Sequence, residues 1–458
     1  MKYNVCVQGL GFVGSAMAVA VAKNYQNKYN VTGVDLPNKA GIERVKKINN
    51  GLFPFETTDE FLKDSLCDAV KNKTLKATHD VSVYEKADVV LISIPFELSS
   101  LVDDTPESNW QPLISGAEQL ASRIPSSCLI ILQTTVLPGT TTKKILPIFE
   151  DCFRKRGINS LPLIAYSYER VMPGKEYLNS IINNHRCYAA LNFEAEERCD
   201  TFFKDFINTS DFPLFKMSNI EAAETAKIME NSYRATNIAF IEEWSQFSET
   251  IGVDLNEVIR AIRLRDTHKN IAQPGFGVGG YCLTKDPLFA EQSAREFYEL
   301  NESYFPFCRL AVKTNQQMPL RCLKRLEENL GELNEKKILL AGVSYKSDVG
   351  DTRYSPAGPF FNKATEMGAM VTLTDPLADC LDDVFVENDI KKIDLNLFDA
   401  IVFAVNHPQY KEQQVIDKIL DINNNVMIFD ACHLIDSAKI TKKMLQKNVY
   451  VIGRGKLS

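Results

Sequence analysis

Apolar and polar positions change their period along the chain, and the change separates three stretches. In the first, short apolar runs rich in β-branched residues occupy 3–8, 31–35, 88–95, 128–134 and 163–167, with longer stretches of helical spacing between them. Strand alternating with helix predicts a parallel sheet covered on both faces. The pattern shifts at Ser218. Ser218 and Glu221 read as a capping box, and the following stretch to about Thr250 has neither Gly nor Pro, so it predicts one long helix. Gly252 ends it, a second helix starts over 254–257, and a glycine-rich loop covers 270–281. Residues 304–330 read as mainly helical, with Gly331 as the stop. Strand patterns then return at 337–345, 370–374, 400–406 and 426–430. This last third is a loose echo of the first: VCVQGLG against ILLAGVS, VTGVDLP against VTLTDPL, ADVVLISIP against DAIVFAVNH. The expected class is α/β, with two doubly wound Rossmann-like domains joined by a helical central domain that contains the long helix. The boundaries expected are 1–212, 213–330 and 331–458.

A chain of 458 residues fits about three domains. Apolar residues at 45% and charged residues at 24% are ordinary for a globular protein, and a net charge of −7 offers no basic surface for nucleic acid. The N-terminal residues run straight into a strand pattern, with no basic stretch and apolar core of a secretory signal, and no apolar run reaches the roughly 20 residues that span a bilayer. The 11 cysteines are scattered and form no C-x-x-C pair. They read as reduced thiols of a cytoplasmic protein, without a zinc or other metal site.

The strongest chemical signal is Gly9, Gly11 and Gly14, with Phe12 and Val13 between them, set after a strand and opening a helix. In that context the first glycine permits a tight turn, the second admits a pyrophosphate and the third lets helix and strand pack closely. Asp35 ends the next strand, where a carboxylate accepts from ribose hydroxyls and repels a 2′-phosphate. Leu36, Pro37 and Asn38 follow it, not Arg, so NAD is expected over NADP. A second constellation runs from Pro274 to Asp286, where Gly275, Gly277, Gly279 and Gly280 crowd in front of Cys282. Glycines at that density suit backbone that must come close to a ligand. Lys285 and Asp286 stand ready to lower a thiol pKa and to orient a proton carrier. On local sequence alone, Cys282 reads equally as a structural thiol in a loop. Lys227 and Asn231 lie one turn apart in the long helix, and Glu224 and Arg234 continue their stripe, which by itself reads as solvated surface. Thr134 and Thr135 end a strand, and Glu169 follows another, at the strand ends where open α/β sheets bind ligands. Lys346, Asp351 and Arg353 follow the first strand of the last third. Only Gly342 remains of a fingerprint there, so no second dinucleotide is expected.

These pieces, in this order, resemble the UDP-glucose and GDP-mannose dehydrogenases, the nucleotide-sugar 6-dehydrogenase family. The likeness rests on the N-terminal fingerprint, TTVLPGTT, YERVMPG, ETAKIMENSYRATNIAFIEE, GFGVGGYCLTKD and GVSYKSDVGDTRYSPA, and covers nearly the whole chain. It implies a first domain for NAD, a last domain for the nucleotide of the sugar, and a long central helix that forms dimer contacts. It also implies four-electron oxidation of a C6 alcohol to a uronic acid through a cysteine thiohemiacetal and thioester, supplying polysaccharide synthesis. By the same resemblance Cys282 is the nucleophile, Lys227 and Asn231 hold the C6 oxygen, and Asp286, Glu169 and Thr135 assist proton transfer and hydrolysis. Thr135, Lys285 and Arg353 join the NAD contacts. Arg170, Phe276, Gly277, Gly279 and Lys346 join those to the substrate. The chain departs from the family at Tyr168, where Pro is usual, and at FDACHLID, which lacks an arginine found in many UDP-glucose enzymes. GVGGYC leans towards relatives acting on N-acetylated hexosamines. The sugar, the base and the choice of subunit-crossing residue among Arg263, Arg265, His268 and Lys269 stay open. Two other readings are kept: a single-hydride β-hydroxyacid-type dehydrogenase, and a non-catalytic protein that binds NAD and a nucleotide.

Overall fold

The computed structural model describes residues 2–23, 28–98, 107–301, 305–435 and 447–456. The chain forms two compact units, Met1–Glu230 with Phe289–Tyr304, and Asn231–Leu288 with Phe305–Ser458.

The first unit is built on one sheet. Its strands are β1 (Tyr3–Gln8), β2 (Tyr29–Val34), β3 (Leu75–Thr78), β4 (Val89–Ile92), β5 (Leu129–Leu132), β6 (Leu163–Tyr166), β7 (Cys187–Ala190) and β8 (Phe215–Lys216). They lie in the order β8-β7-β6-β5-β4-β1-β2-β3. Neighbours from β3 through β6 run parallel, but β7 is antiparallel to β6, so the sheet is mixed rather than wholly parallel. Every residue of β4, β5 and β6 is buried, which explains their unbroken apolar runs. The strand order reverses at β1 and β4, so the turns after these strands border the crevice where such sheets take ligands. The first helix, Phe12–Ala22, is buried from Gly14 to its end, as its run of Ala, Val and Met requires.

The second unit repeats the plan. Its strands are β9 (Lys337–Ala341), β10 (Met370–Thr374), β11 (Ala400–Phe403), β12 (Met427–Asp430), β13 (Val449–Val451) and β14 (Gly455–Lys456), in the order β10-β9-β11-β12-β13-β14. Separate apolar clusters cover its two faces, one around Leu340 and Phe360, the other around Phe403 and Tyr410. The sequence echo is thus an echo of topology, with the first strand of each sheet flanked on both sides by parallel neighbours. Two doubly wound sheets and a helical middle are the architecture expected.

The long helix is Ile220–Ile251. Its cap differs from the one expected. Asn219 Oδ1 accepts from Ala222 N at 2.8 Å, and the Glu221 carboxylate instead accepts from the Thr142 hydroxyl. Near the far end Glu249 accepts from Gly453 N and the Tyr450 hydroxyl, both at 2.7 Å, which binds the helix to the rim of the second sheet. The helix Pro306–Leu330 follows in the same unit and ends at Gly331.

Candidate active site

The first unit carries the dinucleotide cradle. Gly9 has φ +89°, and a Cβ on Gly14 would lie 1.9 Å from the Gly9 carbonyl oxygen, so both positions require glycine. A Cβ on Gly11 would meet no protein atom within 4 Å. That glycine is explained by something other than the protein's own packing: open space beside a helix N-terminus is what a pyrophosphate takes. Beside it, the Phe12 ring stacks on Phe55 and the Phe12 carbonyl accepts from the Tyr177 hydroxyl, while Val13 is half-buried. Asp35 stands past the end of β2. Its Oδ1 accepts from Leu36 N at 2.8 Å and its Oδ2 from Arg44 Nε at 2.7 Å. Sequence proximity did not reveal Arg44, which arrives from the helix Lys39–Asn49 and is neutralised by Asp35. Open backbone, a helix terminus and the Asp35 carboxylate past the end of the next strand together fit NAD.

Beyond β5 and β6 the same unit gathers a second group. Thr135 is half-buried in the turn after β5, and its neighbour Thr134 donates to the Ile94 carbonyl at 2.6 Å. Lys227 is buried and donates to the Glu169 carbonyl oxygen at 2.9 Å. The Glu169 carboxylate accepts from Val171 N. Arg170 Nε reaches both oxygens of Glu230 at 3.2 Å. Glu224 is not the solvated residue its stripe suggested. It is fully buried, with Oε2 accepting from Gly139 N at 2.6 Å, and Oε1 from Thr141 N and Thr141 Oγ1 at 2.9 and 2.6 Å. Burial pushes its carboxyl up to about 7 against the pull of these donors. The Pro138–Thr140 turn, which follows Thr135, is thereby tied to the helix that carries Lys227. Arg234, the last member of the stripe, is exposed.

The second unit presents the glycine loop. Reciprocal hydrogen bonds join Val278 to the Asn315 side chain at 2.8 and 2.6 Å, and His433 Nε2 lies 2.7 Å from the Pro274 carbonyl oxygen. A Cβ on Gly279 would lie 2.5 Å from the Tyr354 carbonyl oxygen, and Gly280 has φ +79° against the Tyr345 ring. Glycine therefore lets this loop lie directly on its neighbours. It delivers Cys282 exposed. The Cys282 carbonyl accepts from Asp286 N at 2.9 Å, which turns the chain back so that Asp286 is buried behind it. There Asp286 Oδ2 accepts from Asn231 Nδ2 at 2.7 Å, and Oδ1 pairs with Lys285 Nζ at 3.0 Å. Lys285 and Arg353 both lie over the Tyr281 ring, and Arg353 also pairs with Asp351. Lys346 is exposed. Phe276 is buried against Phe360, and Gly277 lies against Pro356.

The second sheet also shows why it keeps only Gly342. Asp375, after β10, turns Oδ2 onto Val343 N and Ser344 N at 2.8 and 2.9 Å. The protein's own carboxylate takes the N–H groups that a phosphate would use in the first sheet. Buried His407, 3.1 Å from the same oxygen, completes the cluster. Among the described residues, no group of three or more His, Cys, Asp or Glu side chains is arranged to hold a metal ion, and no helix is long and apolar enough to cross a membrane.

Residues 3–207 match the NAD binding domain of the UDP-glucose/GDP-mannose dehydrogenase family, 221–317 its central domain and 339–437 its UDP binding domain. The chain is 29% identical over 452 residues to a UDP-N-acetyl-D-mannosamine dehydrogenase of Methanococcus maripaludis, covering 97% of this chain and 94% of that one. It is 25% identical over 441 residues to a UDP-N-acetyl-D-glucosamine 6-dehydrogenase of Pseudomonas aeruginosa, covering 95% and 98%. The solved structure of a UDP-D-ManNAc dehydrogenase from Pyrococcus horikoshii aligns over 99% of both chains with TM-score 0.82 and 26% identity.

Proposed function

Because the chain belongs to the UDP-glucose/GDP-mannose dehydrogenase family, we propose that it oxidises the C6 alcohol of a UDP-linked N-acetylated hexosamine to the uronic acid. UDP-N-acetylmannosamine is the favoured substrate. The chain is an NAD-dependent nucleotide-sugar dehydrogenase. The choice of sugar is supported by the names of its relatives and by the GVGGYC loop. The reading of the chemistry rests on one observation: Cys282 is exposed on a pinned glycine loop, immediately before the buried Lys285–Asp286–Asn231 chain.

NAD, when bound at Gly9–Gly14 and Asp35, supplies the hydride acceptor for both oxidations. The chain's residues do the remainder. The Cys282 sulfur adds to the aldehyde carbon, so that a C–S bond forms and the carbonyl oxygen becomes an alkoxide. Lys227 and Asn231 hold that oxygen by charge and hydrogen bond. Loss of the second hydride leaves a thioester on Cys282. Water, positioned by Thr135 with Glu169 and Asp286 taking its protons, adds to the thioester carbon and the thiolate leaves. One alcohol, two NAD and one water thus give one carboxylate, two NADH and three protons. Covalent capture keeps the aldehyde from escaping. Arg170, Phe276, Gly277, Gly279 and Lys346 are assigned to the substrate, and Lys285 and Arg353 to the cofactor contacts. We assign residues 1–212, 213–330 and 331–458 to the NAD, central and nucleotide-sugar domains, the enzyme to the cytoplasm and its product to polysaccharide assembly.

The chain is proposed to work as a homodimer or higher homo-oligomer. Tyr233, Phe240, Trp244, Phe247 and Ile251 are exposed along one face of the long helix, and their rings touch in series from Phe240 to Phe247. Such a stripe fits a covered surface.

The test is NADH counted per nucleotide sugar consumed, with UDP-N-acetylmannosamine, UDP-N-acetylglucosamine, UDP-glucose and GDP-mannose. Two NADH per sugar supports the four-electron reading. One would turn it towards the single-hydride dehydrogenases, and none with any sugar towards a binding protein.

A further inference from the structure

Tyr168 stands just beyond β6 and is 3% exposed. Its backbone is held in place: its carbonyl accepts from buried Arg186 at 3.3 Å, and the Ser167 hydroxyl donates to the Cys187 carbonyl at 2.9 Å. Two cations lie over its ring, Lys227 Nζ at 5.7 Å from the centroid and the Arg170 guanidinium at 5.1 Å. Arg170 also donates to the Tyr168 hydroxyl at 3.1 Å and is held from its other side by Glu230 and the His185 carbonyl. A buried ammonium needs compensation. A carboxylate would supply it by binding the ammonium's donors. An aromatic face attracts the same charge without accepting a full N–H···O bond. With one bond given to the Glu169 carbonyl, Lys227 then keeps donors for a substrate oxygen.

We propose that Tyr168 is a positioning residue: its ring orients the Lys227 ammonium, and its hydroxyl sets the Arg170 guanidinium. The inference rests on Lys227 acting on the reacting oxygen, as proposed above.

The experiment compares full-length Tyr168→Phe, Tyr168→Leu and a chain carrying pentafluorophenylalanine at 168, with kcat, both KM values and the melting temperature measured for each. Phe keeps the ring face and loses the hydroxyl, so kcat holds within about twofold while KM for the nucleotide sugar rises. Pentafluorophenylalanine keeps the shape but reverses the charge of the face, so kcat falls roughly 5- to 10-fold relative to Phe, with KM for NAD and the melting temperature unchanged. Leu follows the fluorinated ring in kcat. A packing role alone would not separate the two rings. Equal kcat for Phe and its fluorinated form overturns the proposal, even if the Leu chain fails to fold. A wild-type chain that reduces no NAD with any nucleotide sugar sinks the function beneath the inference instead.

Discussion

The Asn231 side-chain amide donates to Oδ2 of Asp286 at 2.7 Å, and both groups are withdrawn from water. The other oxygen faces Lys285 at 3.0 Å, so a single carboxylate is divided between a neutral donor and a cation. In Asp286→Asn the volume is kept but the buried ammonium loses its counter-charge. Breaking one side of such a pair costs about 3–5 kcal/mol. Denaturant titration of the variant is expected to register that loss, and NADH production to fall with it. Wild-type stability together with wild-type turnover would contradict the pairing.

Exposure separates Cys282 from most of the other cysteines. Cys282 and Cys380 are exposed, whereas burial pushes the Cys199 and Cys322 thiols well above their usual range. Iodoacetamide followed by peptide mass mapping is expected to label Cys282 and Cys380 first. A bound nucleotide sugar should then protect Cys282 and leave Cys380 labelled. Equal labelling of Cys282 with and without every nucleotide sugar tested argues against a thiol at the substrate.

Glu224 gives a pH dependence of definite sign. Burial raises its carboxyl in the folded protein from 4.5 to about 7. A raised acid stabilises the fold fully below its unfolded pKa, and the contribution is lost as pH climbs through the folded value. The window is therefore about pH 4.5 to 7. Glu224→Gln removes the titration along with part of the clamp on Gly139 and Thr141. From near pH 5 to near pH 8, the stability of the wild type should decline relative to the variant by up to roughly 3 kcal/mol. Urea midpoints at the two pH values measure it, and a gap independent of pH would rule out the titration of this residue.

Asp35 holds Arg44 at 2.7 Å, so the cation beside the expected ribose site is already neutralised. Asp35→Ser removes a charge that would repel a 2′-phosphate and releases Arg44 to meet it. The ratio of kcat/KM for NADP to that for NAD is expected to rise about 10-fold or more, equivalent to ~1.4 kcal/mol. An unchanged ratio would mean that the two side chains do not set cofactor choice.

Trp244 sits between Phe240 and Phe247 in the exposed stripe of the long helix. Trp244→Glu puts a charge in the middle of it. Light scattering is expected to show a smaller species than the wild type, with the helical signal of the folded chain retained. An assembly of unchanged mass would require another interface.

Much of this was legible before any coordinates. The fingerprint glycines, the strand runs and the stops at Gly252 and Gly331 depend on neighbours only a few residues away. What stayed hidden is instructive residue by residue. Glu224 looked solvated because helical spacing gives the face of a residue but not what covers that face, here the turn at Gly139–Thr141. The capping box at Ser218 failed because Glu221 had a tertiary partner in Thr142. Arg44 is not marked by adjacency to Asp35, because it reaches the carboxylate only through the packing of the helix Lys39–Asn49. β7 runs antiparallel although the alternation favoured parallel strands, since apolar periodicity carries no strand direction.

By itself the sequence determined the doubly wound class, the glycine cradle and the family resemblance, all of them carried by local periodicity and by motifs in order, and it left Cys282 open between an exposed and a structural thiol, which the fold decided for exposure. Only the tertiary structure decided which charges are neutralised and by what: Asp286 between Asn231 and Lys285, Asp375 over the N–H groups of Val343 and Ser344, Lys227 over the ring of Tyr168. The reason is physical. A polar group taken out of water must find a partner within about 3 Å or a few ångströms of a ring face, and folding brings that partner from a distant part of the chain.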